Sequence, residues 1–418
     1  MARLTPPHVV ILAGGAGARM KIGHPKALHP VFFRPMIHYA LDAARALGPP
    51  STRLVVGPGE REFREQCRSW PEVRIVRQEE ERGPADAVRA AGPAPEPEGD
   101  VLILTADAPL LTARTLQELA ARRAEADAAC AVVRGAEGGG EAVAWCFRAR
   151  DLAAALTGAD ILVPEGAAEL RPADPVETLG VDDLYGLWRA EAVLQARFNR
   201  ALMLGGTALQ DPGTTLIDPR CRIERGVRVE GGCTVINSVL EAGARLEAYC
   251  RIEDSVIGAG SRLLQGTVAR EARVGRDCRV GPYAHLRPGA VLEDDVWVGN
   301  YAELKNAVLG AGTRAAHQCY VGDARVGRRA VIGGGFVTCG SGAGAPKQRT
   351  VIEDDVFVGG ASHALAPVRV GAGSFVATGT SVTEDVPPDS FVISRARQVV
   401  KAGYSKKYGK AKDSGAPR

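Results

Sequence analysis

The chain has 418 residues, enough for two or three domains that each bury a core. Its 52 basic and 49 acidic residues give a formal net charge of +3, so nucleic acid is not expected as a partner. No apolar run is long enough to span a bilayer and no leader segment is recognisable, so we expect a cytoplasmic protein without membrane insertion. The nine cysteines form no C-x-x-C pair, which favours reduced structural thiols over a metal cluster.

Short apolar strands alternate with amphipathic helices up to about Gly180. This alternation predicts a parallel, doubly wound α/β sheet whose ligands bind at the carboxyl ends of the strands. A phosphate site is therefore expected where VVILAGG stops. The predicted strands are HVVILAG, RLVVG, VRIVRQ, DVLILTAD and AACAVVR, and the predicted helices include PMIHYALDAARALG and ARTLQELAARRAEA.

The loop after the first strand, ILAGGAGARM with the following HPKALHP, contains small and basic residues suited to phosphate. Gly14, Gly15 and Gly17 allow the backbone to approach a triphosphate. Arg19 and Lys26 add positive charge where negative charge builds up at the α-phosphorus. The glycines alone would be equally compatible with a structural turn, and the two cations favour a nucleotide site.

A connecting helix is predicted from Leu184 to Leu204, because apolar residues recur there at helical spacing and Gly205 can end it. Beyond it, aliphatic residues recur every sixth position. This hexapeptide repeat predicts a parallel β-helix with the aliphatic side chains inside. The register is expected to be interrupted around GTRAAHQCYVGDARVG. The two series are Val268, Val274, Val280, Leu286, Leu292 and Val298, then Ile352, Val358, Ala364, Val370, Val376 and Val382.

This combination resembles the bifunctional family of N-acetylglucosamine-1-phosphate uridylyltransferase and glucosamine-1-phosphate acetyltransferase, over nearly the whole chain. The resemblance implies a nucleotidyltransferase domain that joins UTP to a sugar 1-phosphate with Mg²⁺ and releases pyrophosphate. It also implies a left-handed β-helix that acetylates glucosamine 1-phosphate from acetyl-CoA as a homotrimer, supplying UDP-N-acetylglucosamine for cell-wall precursors. The motifs are ILAGGAGARM, HPKALHP, EERGPADAV, ILTADAPLL, ETLGVDD, GPYAHLRPGAVL, VGNYAELKNAVLG, HQCYVGDARVG, EDDVFVGG and FVISRARQ.

On this basis we predict four segments. Residues 1–183 form a shortened nucleotidyltransferase-like domain, and residues 184–206 form the connecting helix. Residues 207–392 form the hexapeptide-repeat acyltransferase domain, and residues 393–418 form a basic tail.

In the first domain, the resemblance assigns UTP binding and metal binding to separate residues. Asp107, after the strand DVLILTAD, and Asp182, where the family has an asparagine, are the expected Mg²⁺ ligands. Gln78 could bind the nucleotide or could instead be a solvent-facing glutamine at the end of a strand. The expected UTP-binding residues are Leu12, Gly14, Gly15, Arg19, Lys26, Gln78 and Gly83.

In the second domain, His317 is the expected general base that deprotonates the amine nucleophile. Taken singly, this histidine or any of the cations could be an ordinary surface residue. The expected sugar-phosphate residues are Arg287, Lys305, Tyr320 and Lys347, the last aligned only with one residue inserted before it. The expected acetyl-CoA residues are Gly334, Gly340, Ser341, Gly360 and Arg395.

Departures from the family pattern leave three hypotheses open. The segment from Arg134 to Gly180 is several tens of residues shorter than its counterpart and lacks the Y-G-R motif of the acceptor site. Val331 stands where the family has an asparagine, and TCGSG replaces T-C-N-Y. Both activities could persist, one could persist alone, or the chain could be a non-catalytic scaffold trimer that binds a nucleotide sugar.

Overall fold

The computed structural model describes residues 5–15, 17, 20–57, 59–80, 82–93, 99–135, 142–340 and 347–404. By its internal contacts the chain divides into two compact units, Met1–Arg200 and Ala201–Arg418. No helix in these described ranges is both long and apolar enough to cross a membrane.

The first unit is built on a seven-stranded sheet. The strands described in this unit, seven of which form that sheet, are β1 (His8–Ala13), β2 (Pro30–Val31), β3 (Arg34–Pro35), β4 (Thr52–Val56), β5 (Val73–Arg77), β6 (Asp100–Thr105), β7 (Cys130–Arg134), β8 (Ala142–Arg148), β9 (Leu156–Thr157), β10 (Asp160–Ile161) and β11 (Ala168–Leu170). The central order is β11-β7-β8-β6-β1-β4-β5, while β2 pairs with β3 and β9 with β10. All five predicted strands are present in this sheet.

Helices cover both faces of the sheet, as a doubly wound fold requires. They are α1 (Met36–Arg45), α2 (Glu60–Gln66), α3 (Pro84–Ala91), α4 (Ala113–Glu125) and α5 (Ala149–Ala155). There are also 3-10 turns at Lys26–Leu28 and Pro175–Thr178, and the chain then continues into α6 (Leu184–Leu204). One core packs α1, α2 and α4 against Ile11 of β1. The other packs α3 and α5 against Val10, the neighbouring residue of the same strand.

One strand departs from the parallel sheet that the sequence predicts. β8 runs antiparallel to both of its neighbours, β6 and β7. The reason is the short connection between β7 and β8, because a parallel return needs a crossover of a dozen or more residues. The α/β class itself is confirmed.

The second unit is a left-handed parallel β-helix, in which each strand pairs with the equivalent strand of the next coil. Its strands are β12 (Ala208–Leu209), β13 (Leu216–Ile217), β14 (Arg222–Ile223), β15 (Arg228–Val229), β16 (Thr234–Ile236), β17 (Val239–Leu240), β18 (Arg245–Leu246), β19 (Arg251–Glu253), β20 (Val256–Ile257), β21 (Arg262–Leu263), β22 (Val268–Arg270), β23 (Arg273–Val274), β24 (Arg279–Val280), β25 (His285–Leu286), β26 (Val291–Leu292), β27 (Trp297–Asn300), β28 (Glu303–Leu309), β29 (Arg314–His317), β30 (Tyr320–Val326), β31 (Val331–Ile332), β32 (Val337–Cys339), β33 (Thr350–Ile352), β34 (Phe357–Val358), β35 (His363–Leu365), β36 (Val368–Val370), β37 (Phe375–Val376), β38 (Ser381–Val382) and β39 (Phe391–Val392).

The strands form three faces. Face A is the eleven-stranded sheet that begins with β12 and β15 and ends with β39. The other sheet bends into two faces: face B begins with β13 and β16, and face C begins with β14 and β17. The long strands β28 and β30 turn a corner, so that each starts on face B and ends on face C.

The predicted repeat positions are buried inside the prism, with one exception. Val268 points outward and pairs with His285, while its neighbour Ala269 points inward and pairs with Leu286. The prediction fails there because the step from Ala269 to the next inward residue, Val274, is five residues rather than six. The other members of the two series are at most 3% exposed.

The interruption of the coil also lies elsewhere than predicted. Around His317 the coil continues, since Ala315 and Val321 both occupy buried inward positions. An alanine at the inward position weakens the aliphatic repeat without breaking the coil. An excursion from the repeat instead separates Cys339, at the end of β32, from Thr350, at the start of β33, and residues 341–346 within it lie outside the described residues.

Candidate active sites

The first unit has a cavity of about 370 Å³ at the carboxyl ends of β1 and β6. Parallel strands direct their carboxyl ends to one edge, which is where such folds bind ligands. The cavity is lined by seven of the residues singled out in the sequence: Leu12, Gly14, Gly15, Lys26, Gln78, Gly83 and Asp107. Arg19, also expected here, lies outside the described residues.

Gln78 is buried in the wall of this cavity, with a relative exposure of 4%, so the solvent-facing reading is wrong. Its Nε2 donates to Asp86 Oδ2 at 3.0 Å, and its backbone N–H donates to the Val56 carbonyl at 2.8 Å. A Cβ at Gly14 would lie 3.2 Å from Gln78 Oε1. The amide group is therefore held in place beside the glycine loop.

Gly83 begins α3 in a conformation that favours glycine, with φ of 107°. A Cβ there would lie 2.5 Å from the backbone oxygen of Ala159, a contact that real Cβ atoms do not make. Pro84 takes the first helical position, where the missing N–H removes no helical hydrogen bond. The change from G-T to Gly83-Pro84 is thus compatible with a well-formed helix start.

Lys26 bridges the two expected metal ligands. Its Nζ lies 2.8 Å from Asp107 Oδ2 and 2.9 Å from Asp182 Oδ1, and its side chain is 10% exposed. The sequence indicated a cation and two carboxylates at this edge of the sheet, but not that they form one ion-paired cluster.

Asp182 is held beside Asp107 by the backbone and by a buried glutamate that sequence reasoning did not single out. The Val181 N–H donates to the Asp107 carbonyl at 2.8 Å. Glu177, 8% exposed, accepts hydrogen bonds from the Thr112 N–H at 3.0 Å and from the Thr115 hydroxyl at 2.6 Å. These bonds attach the segment that carries Asp182 to the amino terminus of α4.

The donor set fits Mg²⁺, the metal that the family resemblance implies. Carboxylate oxygens are preferred Mg²⁺ ligands, and the ion is usually held by one or two carboxylates with substrate phosphates and water. The described residues contain no group of three or more His, Cys, Asp or Glu side chains able to hold a metal. Asp107 and Asp182 would therefore share the ion with phosphate oxygens.

In the second unit, three cations expected to bind the sugar phosphate lie near one another on face B. The pKa of Lys305 is lowered, chiefly by the side chain of Lys347 and to a smaller extent by Arg287. Two carboxylates partly neutralise the charge of these cations. Glu303 accepts a hydrogen bond from Arg287 Nη1 at 2.6 Å, and Asp323 Oδ2 lies 3.8 Å from Lys347 Nζ. Like charges placed together favour binding of an anion.

Tyr320 begins β30 beside these cations. It pairs in register with Glu303 of the coil before, and Lys305 pairs with Gly322. A Cβ at Gly322 would lie 2.4 Å from the Tyr320 hydroxyl, so the tyrosine ring lies over this glycine.

His317 is exposed at the end of β29, three residues before Tyr320 and across the corner between faces A and B. Its Nδ1 lies 3.4 Å from Asn300 Oδ1, at the long limit for a hydrogen bond. Asn300 is a functional candidate that the sequence reasoning missed, although it lies within the quoted motif VGNYAELKNAVLG. An acceptor at Nδ1 leaves Nε2 as the nitrogen able to take a proton.

The coils after His317 bring two of the expected acetyl-CoA residues, Gly334 and Gly360, into line along this corner. A Cβ at Gly334 would lie 3.5 Å from His317 Cβ, and one at Gly360 would lie 2.9 Å from the Gly334 carbonyl oxygen. Further on, Arg395 Nη1 donates to the Thr378 carbonyl at 3.0 Å. In the two coils after His317, glycine thus occupies the positions next to the histidine, Gly334 and Gly360.

Of the two other residues expected to bind acetyl-CoA, Gly340 and Ser341, the first lies apart from this line. Gly340 follows β32, where its carbonyl accepts from the Gln348 N–H at 2.9 Å, so it belongs to the excursion that carries Lys347. Ser341 lies outside the described residues. Val331 is on the outer surface of face A, 36% exposed.

Comparisons with known proteins cover both units. Residues 9–171 match the family model described as a MobA-like NTP transferase domain. The proteins named "Bifunctional protein GlmU" of Trichlorobacter lovleyi and Pelobacter propionicus are each 36% identical to this chain, over 94% of this chain and 97% of their own length. That of a Geobacillus species is 33% identical, over 95% of this chain and 97% of its own length.

Among solved structures, a nucleotidyl transferase from Methanothermobacter matches with a TM-score of 0.38 and 22% identity, over 46% of this chain and 98% of its own. The relationship rests instead on the full-length sequence matches. They extend through the nucleotide cavity, the connecting helix and the β-helix. The chain therefore belongs to the GlmU family, the bifunctional uridylyltransferase and acetyltransferase family that its motifs resemble.

Proposed function

We propose that this protein synthesises UDP-N-acetylglucosamine in two reactions, one in each unit. The β-helix transfers acetyl from acetyl-CoA to glucosamine 1-phosphate, and the first unit transfers uridylyl from UTP to N-acetylglucosamine 1-phosphate with release of pyrophosphate. The observation that carries the proposal is the full-length relationship to bifunctional relatives, over 94% of this chain. Two separate sets of anion-binding residues, one in each unit, support it.

In the proposed acetyl transfer, His317 acts on the amine of glucosamine 1-phosphate. Arg287, Lys305 and Lys347 bind the phosphate dianion, which places the amino group near the imidazole. The imidazole Nε2 accepts the proton as the nitrogen attacks the thioester carbonyl. The carbon–sulfur bond breaks, and the coenzyme A thiolate leaves and takes up a proton. The Asn300 side chain orients the ring during this step.

In the proposed uridylyl transfer, the glycine loop and Lys26 bind the triphosphate. The sugar phosphate oxygen attacks the α-phosphorus and pyrophosphate leaves, so catalysis depends on position and on neutralised charge. Mg²⁺ held by Asp107 and Asp182 supplies charge neutralisation at the phosphates when bound. Gln78 and Gly83 form the wall proposed to contact the base.

A second candidate, acetyl transfer alone, is favoured by one observation. The alignment with the Trichlorobacter relative spans 458 positions, more than the 418 residues of this chain, so that relative contains positions that this chain lacks. The sequence locates the shortening between Arg134 and Gly180, where the family holds the acceptor sugar. Slow uridylyl transfer together with normal acetyl transfer would select this candidate.

We further propose that the β-helix forms a trimer in the cytoplasm. The exposed rings of Phe357, Phe375 and Phe391 stack along face A, with centroid distances of 4.6 and 5.6 Å, and offer an apolar surface for contact between copies. Sedimentation of the whole protein tests the trimer directly, and a monomer at micromolar concentration would contradict it.

Two assays on the purified protein test the proposed function. One measures pyrophosphate released from UTP and N-acetylglucosamine 1-phosphate, and the other measures free thiol released from acetyl-CoA and glucosamine 1-phosphate. His317→Ala should abolish thiol release and leave UTP binding intact. His363→Ala, which removes another exposed histidine of the same β-helix, is the matched control and should leave both unchanged. Thiol release that persists in His317→Ala would refute the assignment of the base.

A further inference from the structure

Face C carries a cavity of about 600 Å³ that no step of the proposed reactions uses. Four arginines line it: Arg325, Arg328, Arg349 and Arg369. Arg325, Val351 and Arg369 are consecutive partners in the strand register, so the two arginines flank the valine on the outer surface. The volume is in the range of small-molecule sites.

The acidic residues of this cavity are already engaged in the coil itself. Glu293, Glu353 and Asp354 each accept a hydrogen bond from a backbone N–H, at distances of 3.0, 2.9 and 2.8 Å respectively. These bonds join neighbouring coils and keep the carboxylates in fixed positions.

The lining still has an excess of positive charge, with four guanidinium groups against three carboxylates. Glu353 also pairs with Arg369, but Arg325, Arg328 and Arg349 have no carboxylate partner among the described residues. Positive charges gathered in one concavity repel each other until an anion binds. The planar guanidinium group binds phosphate oxygens in pairs, which suits a ligand with several such oxygens.

This cavity is separate from the phosphate-binding cations of the proposed acetyl-transfer site. Those cations are on face B, whereas the cavity is reached by the later residues of the same strands, Val308 of β28 and Arg325 of β30. Lys347 lies near Lys305 on the face B side, while Arg349, two residues on, lines the face C cavity.

We propose that the face C cavity is a second anion site, which binds a small molecule carrying at least two phosphoryl groups. Its specificity comes from guanidinium groups on three neighbouring strands of face C. Arg325 lies in β30, Arg349 immediately precedes β33, and Arg369 lies in β36. Both catalytic activities proceed without it, so the proposal is independent of the proposed function.

Titration calorimetry with inorganic pyrophosphate, in Mg²⁺-free buffer, tests this site. The wild-type protein should show one more binding site per chain than the double variant Arg325→Ala with Arg349→Ala. Loss of two charge-assisted contacts should weaken binding there at least about tenfold. The remaining pyrophosphate sites, and both catalytic rates, should be unchanged and serve as the internal control.

A second double variant, Arg228→Ala with Arg245→Ala, removes the same charge from exposed arginines of face A. It should retain the extra site. Equal weakening in both double variants would show general attraction to a basic surface, and unchanged binding in both would show that the cavity holds no anion. A change in sedimentation that occurs only in the face C variant would show an interface between copies, and each of these three results would overturn the proposal.

Discussion

Lys26 occupies the position between Asp107 and Asp182 where a metal ion is expected, so removing its charge should have two opposite effects. The change Lys26→Met keeps the length of the side chain and leaves two carboxylates whose oxygens were bonded to one nitrogen. UTP turnover should fall, because the triphosphate loses a cation. Binding of a divalent metal without nucleotide should become tighter, because the metal no longer competes with the ammonium group.

The magnitude follows from the distances. Both carboxylate oxygens lie within 2.9 Å of Lys26 Nζ, so they are at most about 5.7 Å apart. Coulomb repulsion at that separation is about 1–3 kcal/mol for effective dielectric constants of about 80 to 20. The side chains of Asp107 and Asp182 are 36% and 44% exposed, so water screens the pair and the lower half of the range applies. A metal that relieves this repulsion should bind about tenfold more tightly.

Titration with Mn²⁺, followed by electron paramagnetic resonance, measures this binding without catalysis. Thermal unfolding in chelator should show Lys26→Met destabilised and then restored by Mn²⁺. Arg123→Met is the control, because it breaks a buried ion pair with Asp100 in the same unit, away from the cavity. Its lost stability should not respond to Mn²⁺. Weaker or unchanged Mn²⁺ binding in Lys26→Met would refute the competition argument.

Three further predictions concern single residues. Gly83→Ala should lower the unfolding temperature of the first unit by several degrees, because its Cβ would meet the Ala159 backbone oxygen at 2.5 Å, and unchanged calorimetry would contradict this. Since Lys347 lowers the pKa of Lys305 and a bound phosphate raises it again, affinity for glucosamine 1-phosphate should be full below that lowered pKa and fall as pH rises through it. Calorimetry in two alkaline buffers should then report proton uptake on binding. Cys339, the one exposed cysteine among the described residues, should be the single thiol per chain that reacts rapidly with Ellman's reagent in native protein.

The sequence predicted the elements of the fold because each has a strong local period. The alternation of strands and helices, the helix Leu184–Leu204 and the six-residue repeat all depend on which residues are apolar. The exceptions occurred where the period is weak. Val268 and Ala269 are both apolar, so the length of the coil decides which of them points inward. At Ala315 the inward residue is an alanine, so the aliphatic repeat is lost from the sequence although the coil is regular.

The candidate sites were less predictable, because they depend on contacts between distant residues. The sequence marked Lys26 and Asp107 as charged groups near one strand edge, but a direct bond between residues 81 positions apart is a property of the fold. Asn300 became a candidate only when the register paired it with His317. Burial of Gln78 likewise follows from packing against α3, which no local pattern records.

Within the first unit, the hydrogen bonds of Glu177 support the proposed nucleotide-donor site separately from the proposed sugar-acceptor site. They anchor the carboxyl-terminal end of the segment between Arg134 and Gly180, just before Asp182, to the start of α4, so the position of this proposed metal ligand depends on that end of the segment and not on its whole length. The part of the first unit proposed to bind the nucleotide donor is thus supported at this end of the segment, separately from the rest of the segment, which corresponds to the proposed acceptor side. A lineage can trim or replace the acceptor wall, and so change which sugar is accepted, without rebuilding the site that activates the triphosphate.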